Sequence, residues 1–403
     1  MKWSWASWLN KNIIALGFVS LFSDMSSEII TVLLPTFLLS LGGSAAVLGI
    51  IEGLADASVS FTKIGAGWYS DYLGKRKPFA FVGYLLAAGG IACFMGAFHW
   101  YQVLIGRLIT RFGKGVRDPA RDAWLTESTT PPFYGRVFGF HRAMDTVGAI
   151  IGPLLAFFLI KIFTLRMVFF IALVPMIITL CIIGFFTHDS QRIITKERPR
   201  LTTNIRTLPP QFKLFLLTSG VFSLGKITPT LLLLRSTELL SSGQSMLTAT
   251  SSTIGIYVLY NVCYALFSLP MGYLADTFGT VTILFFGYVC MACALFGFMI
   301  PSGSIISIGL LFIVAGIAIA AIDAIERSMA AELLPASQLG TGYGTLSALQ
   351  GIGALSSSAM VGILWSAFSP QIGFLSSGFF CLLGAFFLYL FFIHKKHTLF
   401  KPS

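Results

Sequence analysis

The sequence predicts an all-α polytopic membrane protein, on three observations. Of 403 residues, 56% are hydrophobic and 11% charged, the mean hydropathy is +0.84, and long apolar stretches recur from one end to the other. A soluble globular chain carries about 25% charged residues, so soluble enzymes, nucleic-acid binders and disordered proteins are excluded. With about 20 apolar residues needed per spanning helix, the length accommodates about a dozen spans and no large soluble domain.

Apolar stretches bounded by turn residues or charges fall at 12–40, 46–70, 78–98, 101–120, 136–160, 166–187, 212–235, 250–274, 280–300, 304–325, 342–366 and 372–393. Each is long enough to cross the hydrocarbon core, so twelve transmembrane helices are expected. Ahead of the first, MKWSWASWLNKN carries two lysines and three tryptophans without a cleavage-site pattern, and reads as a retained interfacial anchor.

The net charge of +11 follows from topology. Lys75, Arg76 and Lys77, then Lys114, Arg117 and Arg121, then residues 192–213, then Lys395 and Lys396 fall on one side of the threading. On the other side, Gly42 to Ala45, His99 to Tyr101, Pro301 to Ser304 and Ser369 to Gln371 contain no Lys or Arg. Because basic loops stay inside, both termini are expected in the cytoplasm. Nucleic acid is not an expected partner.

The polar connection from Thr187 to Lys213 divides the chain into two six-helix bundles, 1–187 and 212–393, joined by a cytoplasmic linker at 188–211 and followed by a tail at 394–403. A shift of 205 residues supports the division: it places Gly67, Asp71 and Gly74 on Gly272, Asp276 and Gly279. Without a gap, it also places Asp118, Glu127, Gly135, Gly139 and Gly148 on Asp323, Glu332, Gly340, Gly344 and Gly353. Parallel repeats of this kind are a transporter architecture.

The loop after the second helix reads Gly67-x-x-x-Asp71-x-x-Gly74-Lys75-Arg76-Lys77, and its repeat reads Gly272-x-x-x-Asp276-x-x-Gly279. Gly67 permits close helix approach, Asp71 can accept hydrogen bonds, Gly74 permits a tight turn, and the basic triplet is expected at the cytoplasmic surface. This signature, present in both halves, resembles the loop signature of the major facilitator superfamily, and the likeness covers essentially the whole chain. The resemblance implies alternating access around a central site, with the signature stabilising the outward-facing state. It assigns gating to Gly67, Asp71, Gly74, Lys75, Arg76, Arg117, Arg121, Gly272, Asp276 and Gly279, with Asp71 expected to pair with Arg117 or Arg121. The second copy has Thr280 and Val281 where the first has basic residues, so its latch is expected to be weaker.

The runs Gly113-Lys-Gly115-Val-Arg117-Asp118-Pro-Ala-Arg121-Asp122 and Phe138-Gly139-Phe-His141-Arg142-Ala-Met-Asp145 resemble a bacterial branch of that superfamily, mostly of unassigned substrate, with siderophore use suggested for some members. Gly148-Ala-Ile-Ile-Gly152-Pro153 resembles the core of a signature of proton-coupled antiporters, although Leu155 and Ala156 stand near where glycines would follow. The same spacing is also a helix-packing device.

Charges inside spans are costly and normally face a bundle interior or a water-filled cavity. Asp24 and Glu28 lie four apart on the first helix, and Glu52 and Asp56 four apart on the second, giving two acidic faces. At about 1.5 Å per residue, Asp24, Asp56, Arg111, Asp145 and Lys226 lie roughly 14 to 21 Å into their helices, near the middle of a core about 30 Å thick. Asn261 and Gln350 occupy the repeat positions of Asp56 and Asp145, so the second half is expected to be neutral at this depth apart from Lys226. Candidate substrate and proton residues are therefore Asp24, Glu28, Glu52, Asp56, Arg107, Arg111, Asp145, Lys226, Asn261 and Gln350. Carboxylates clustered in low dielectric hold a proton more readily than in water, which makes Asp24 and Glu28 the first candidates for the proton site and His141 a weaker one.

The six cysteines lie in apolar runs, and the sequence contains no metal-ligand spacing, nucleophile motif or phosphate loop. No metal, no cofactor and no enzyme activity are expected. The expected function is secondary active transport, driven by protons, of a polar charged or zwitterionic organic solute such as an amino acid, a carboxylate or a siderophore. The alternative is a proton-coupled exporter of drugs or amphiphiles. The expected partners are the solute, protons and membrane lipids, and the expected state is a monomer.

Overall fold

The computed structural model describes residues 9–130, 133–189, 208–335 and 339–399, with the side chains at 71, 134, 135, 324, 331, 339–341 and 391–399 outside the described set. The first eight of the twelve residues of the expected anchor and most of the expected linker therefore lie outside the described residues. Among the described residues there are thirteen helices and no strand.

The helices are α1 (Lys11–Ser40), α2 (Ala45–Leu73), α3 (Lys77–Met95), α4 (Trp100–Glu127), α5 (Tyr134–Leu159), α6 (Leu165–Phe186), α7 (Pro210–Ser223), α8 (Pro229–Ser241), α9 (Met246–Phe278), α10 (Thr280–Gly297), α11 (Ile305–Leu333), α12 (Leu339–Ala367) and α13 (Pro370–Leu399). Ten of them contain, among the described residues, a stretch long and apolar enough to cross a membrane. The other three are explained by chemistry. Helix α4 carries too many charges for a hydropathy criterion, and α7 and α8, at 14 and 13 residues, are two halves of one span. The total is the expected twelve.

The seventh span differs from the continuous helix expected at 212–235. The chain leaves helical geometry after Ser223 and re-enters at Pro229, whose ring suits the first helical turn but cannot continue an existing helix. The tenth span also exceeds its expected end, since α11 continues past residue 325 to Leu333, and α13 runs through residues 394–399, read from sequence as tail.

Helix ends follow local rules. Asn10 and Thr164 cap α1 and α6 by accepting the backbone N–H groups of Ile13 and Met167, and Ser245 and Ser304 do the same for α9 and α11. Gly74 and Gly279 end α2 and α9 with φ of 62° and 89°, the left-handed region where a side chain would be strained.

Two compact units are present: Met1–Gly43 with Leu54–Leu201, and Ser44–Gly53 with Thr202–Ser403. In the first, α1 packs on α5 and α6, and α3 packs on α4 and α6. In the second, α7 packs on α12 and α13, and α10 packs on α11 and α13. The same shift of 205 relates these contacts: α4, α5 and α6 begin at Trp100, Tyr134 and Leu165, and α11, α12 and α13 at Ile305, Leu339 and Pro370. The opening turns of α2 group with the second unit, where the Ala46 N–H donates to Ser366 Oγ at 2.9 Å.

Glycines set the closest approach inside the first unit. A Cβ on Gly152 would stand 2.6 Å from the carbonyl oxygen of Met25 and 3.0 Å from Glu28 Cβ, and one on Gly148 would meet the Leu21 carbonyl and Asp24 Cβ. The G-x-x-x-G motif of the fifth span is thus a packing seam that brings α5 directly against the acidic face of α1.

Candidate functional site

In the first unit, Arg107, Arg111, Lys114 and Arg117 recur on α4 at helical spacing and therefore share a face. They line a cavity of about 60 Å³ together with Asp24, Ser27, Glu28 and Thr31 of α1. That volume holds a few waters or a carboxylate-sized group. Four cations against two carboxylates leave an excess of positive charge.

The cations differ in how they are held. Arg107 and Arg117 are buried, the latter with its guanidinium 4.3 Å from the Tyr84 ring centroid and Nε 3.6 Å from Asp118 Oδ1. Arg111 Nη2 lies 3.6 Å from Asp56 Oδ1 on α2. Lys114 has neither a hydrogen bond nor an ion pair among the described residues, and the carboxylates whose charge it feels are Asp118 and Asp24. A cation facing a cavity with no built-in partner is suited to an anionic guest.

Asp145 lies outside this cavity lining. It accepts a hydrogen bond from Ser20 of α1, with His141 Nδ1 at 3.6 Å, while Arg121 Nη1 donates to the same Ser20 hydroxyl at 3.5 Å. The two acids of α2 separate: Asp56 joins Arg111, and Glu52, 1% exposed, belongs to the segment grouped with the second unit.

At the basic end of the first unit, Lys63 Nζ is 3.0 Å from Asp118 Oδ2, and Arg121 lies 3.9 Å from Asp118 and 3.1 Å from Asp122. The side chain of Asp71 is outside the described residues, and so is its expected pairing with Arg117 or Arg121. The basic triplet corrects a sequence expectation: only Lys75 is exposed. Arg76 is 2% exposed and bonds Glu127 at 2.9 Å and Ser70 at 2.8 Å, because the half-buried carboxylate of Glu127 on α4 stands opposite it. Lys77 Nζ donates to the carbonyls of Gly184 and Thr187 at 2.9 and 2.8 Å, closing the C-terminal end of α6. Gly67 fits the close approach expected of it, a Cβ there standing 3.3 Å from Pro119 Cβ. Its repeat, Gly272, faces open space, and Asp276 is exposed. Where the first unit has the Arg76–Glu127 ion pair, the second has a hydrogen bond of 3.1 Å from Thr280 Oγ1 to Glu332.

The second unit is not neutral at depth apart from Lys226. Lys226, in the break between α7 and α8, lies 3.4 Å from Asp323 Oδ1 on α11, and Tyr264 donates to Asp323 Oδ2 at 3.4 Å. One turn on, Glu326 is 4% exposed and accepts three hydrogen bonds. They come from Ser219 Oγ at 3.0 Å, Tyr288 OH at 2.8 Å and Gln350 Nε2 at 2.6 Å. Asn261 is buried on α9. Sequence reasoning missed Glu326 because it closed the tenth span at 325, and it took Asp323, two residues inside that end, only as the repeat of Asp118. The signal was present in the shift of 205, which lays Glu326 on Arg121.

Comparison with known proteins accords with this architecture. The family model described as Major Facilitator Superfamily matches residues 16–251 and 239–403. The uncharacterized MFS-type transporter MJ1317 of Methanocaldococcus jannaschii is 33% identical over 378 residues, 91% of each chain. The multidrug resistance protein MdtH of Klebsiella pneumoniae is 28% identical over 149 residues, 37% of this chain and 35% of that one. Among solved structures, the nucleoside transporter NupG superposes with a TM-score of 0.74 at 15% identity, covering 95% of this chain and 99% of that one. A POT family transporter in complex with 5-aminolevulinic acid gives 0.74 at 13% identity, covering 94% and 95%. At such identities the structural likeness shows the fold. The family match across both halves and the full-length relative show more: the chain belongs to the major facilitator superfamily, a family of multi-pass membrane transporters and not of enzymes.

Proposed function

We propose that this chain is a proton-driven secondary carrier of a small organic solute bearing an anionic group, a carboxylate or a zwitterion such as an amino acid, with a carboxylate-type siderophore in the same class. The observation that carries the reading is the α4 cation row facing a cavity, with Lys114 unpartnered among the described residues and cations in excess of carboxylates. An anionic group bound there would receive charge-assisted hydrogen bonds from Arg111 and Lys114. Asp24 and Glu28, on the opposite wall, would take the ammonium of a zwitterion or the coupling proton. Import is the natural direction for such a solute. In this reading the chain works as a monomer in the bacterial inner membrane, with both termini cytoplasmic. The bundles at 1–187 and 212–393 alternate access, gated by the two loop signatures from Gly67 to Arg76 and Gly272 to Gly279 with Arg117 and Arg121.

A ligand screen by thermal shift on purified protein, at acidic and neutral pH, tests this, because a bound ligand raises apparent stability by mass action. Amino acids, di- and tricarboxylates, and iron-free and iron-loaded siderophores form one set, and lipophilic cations the other. Stabilisation by a carboxylate or zwitterion that disappears in Lys114→Ala and Arg111→Ala is the expected result. Stabilisation by lipophilic cations alone, untouched by those substitutions, would replace it with export of amphiphiles, the reading favoured by the partial likeness to MdtH.

A further inference from the structure

Glu326 stands at the same repeat position as Arg121, since 121 and 326 differ by the shift of 205 that relates the two halves, and its partner Gln350 stands at the position of Asp145. In the first unit this position holds a guanidinium, which cannot lose its proton in a protein. In the second unit it holds a carboxylate, which can gain one. The second unit alone has a titratable group there.

From this geometry we propose that Glu326, with Gln350, is a reversible proton-binding site of the second unit. Both oxygens of Glu326 are engaged: Oε1 accepts from Ser219 and Tyr288, and Oε2 accepts from Gln350. Three donors aimed at one carboxyl describe the ionised form, which accepts only. If a proton arrives on Oε2, the new O–H faces the N–H of Gln350, and two donors oppose each other. The primary amide resolves the conflict by turning over, so that its carbonyl oxygen accepts the new O–H. Gln350 can therefore serve both protonation states, which an aspartate or an arginine at that position could not do as simply. The groups facing Glu326 come from every neighbouring element. They are Lys226 from the break in the seventh span, Asp323 one turn away on α11, and Tyr288 on α10, with Tyr264 of α9 on Asp323 and Cys381 of α13 facing Tyr288. Because Ser219, Tyr288 and Gln350 lie on α7, α10 and α12, a change of charge on Glu326 loosens or tightens the junction of four helices.

The inference rests on the reading that transport is coupled to protons, and its test uses protons alone. In lipid-reconstituted protein without solute, infrared difference spectra between acid and alkaline buffer should contain a reversible carboxylic C=O band. That band is expected to vanish in Glu326→Gln, to persist in Asp24→Asn and Glu28→Gln, and to move in frequency in Gln350→Met, which removes the amide but keeps the length. A difference spectrum in which every reversible carboxylic band survives Glu326→Gln, or a wild type with no such band, would overturn the proposal, whereas a separate band lost only in Asp24→Asn or Glu28→Gln belongs to the first unit. Should Glu326→Gln fail to fold, a Gln350→Met band at unchanged frequency would overturn it equally. A failed solute screen with this band intact would count against the solute reading and leave the proton site standing.

Discussion

The two units share a packing scheme and differ in charge. At one repeat position the first unit carries Arg121 and the second Glu326. At another, Asp145 accepts from Ser20 while Gln350 donates to Glu326. At a third, Glu127 pairs with Arg76, while its repeat Glu332 accepts from Thr280, one residue before Val281, the repeat position of Arg76. Helix contacts are retained because glycine seams and apolar faces tolerate little change, whereas polar groups need only find some partner once buried. The difference assigns the two units different work in this reading: an anion-attracting cavity in the first and a protonatable carboxyl in the second.

The strongest way to break the comparison is at the shared packing. Gly148→Leu in the first unit and Gly353→Leu in the second each place a side chain against the backbone of a neighbouring helix, α1 and α7. Overpacking costs about 1–3 kcal/mol or more per site, and a four-carbon side chain in place of hydrogen stands at the upper end. Loss of monodisperse protein in size-exclusion chromatography is expected for both. If only one is sensitive, the seams are not equivalent.

Next is the contrast at the ends of α2 and α9. Removing Arg76 deletes its ion pair with Glu127, whose side chain is 19% exposed. The cost lies between that of an exposed and a buried pair, about 2 kcal/mol. Thermal unfolding of Arg76→Ala should show a clear loss, and equal loss in Thr280→Val would erase the distinction between the two latches.

Third is the cation row. Lys114→Ala should lower affinity for the stabilising anion about 10- to 100-fold, the range for losing one hydrogen bond to a charged group. Lys114→Arg should retain most of it. Unchanged affinity in titration calorimetry would move the anion elsewhere.

The smallest effect is expected at Thr280→Val itself, about 0.5–1.5 kcal/mol for one partly exposed hydrogen bond. A shift in melting temperature near the resolution of the measurement is the expected outcome. A large loss would show that Glu332 depends on Thr280 as Glu127 depends on Arg76.

Much of the candidate site is legible in the sequence. Asp24, Glu28, Arg107 and Arg111 were identified from charge within apolar runs, and all four line one cavity. Lys114, inside the span expected at 101–120, counts in the sequence only as a cation of the basic side, because its depth depends on how far α4 extends. Glu326 was passed over for the same reason, since charge near an apparent span boundary looks like solvated surface. Arg76 was read as a surface residue of a basic loop, and nothing nearby in sequence indicates that Glu127, far along the chain, would bury it.

By itself the sequence determined the spans, the internal repeat and the distribution of basic loops, because hydropathy and composition act along one helix at a time and need no knowledge of neighbours. The tertiary structure decided the extension of α11, the meeting of Lys226 with Asp323 and which other charge meets which partner. Those outcomes depend on helices distant in sequence packing together: a buried polar group is bonded wherever the fold brings a donor or acceptor within reach.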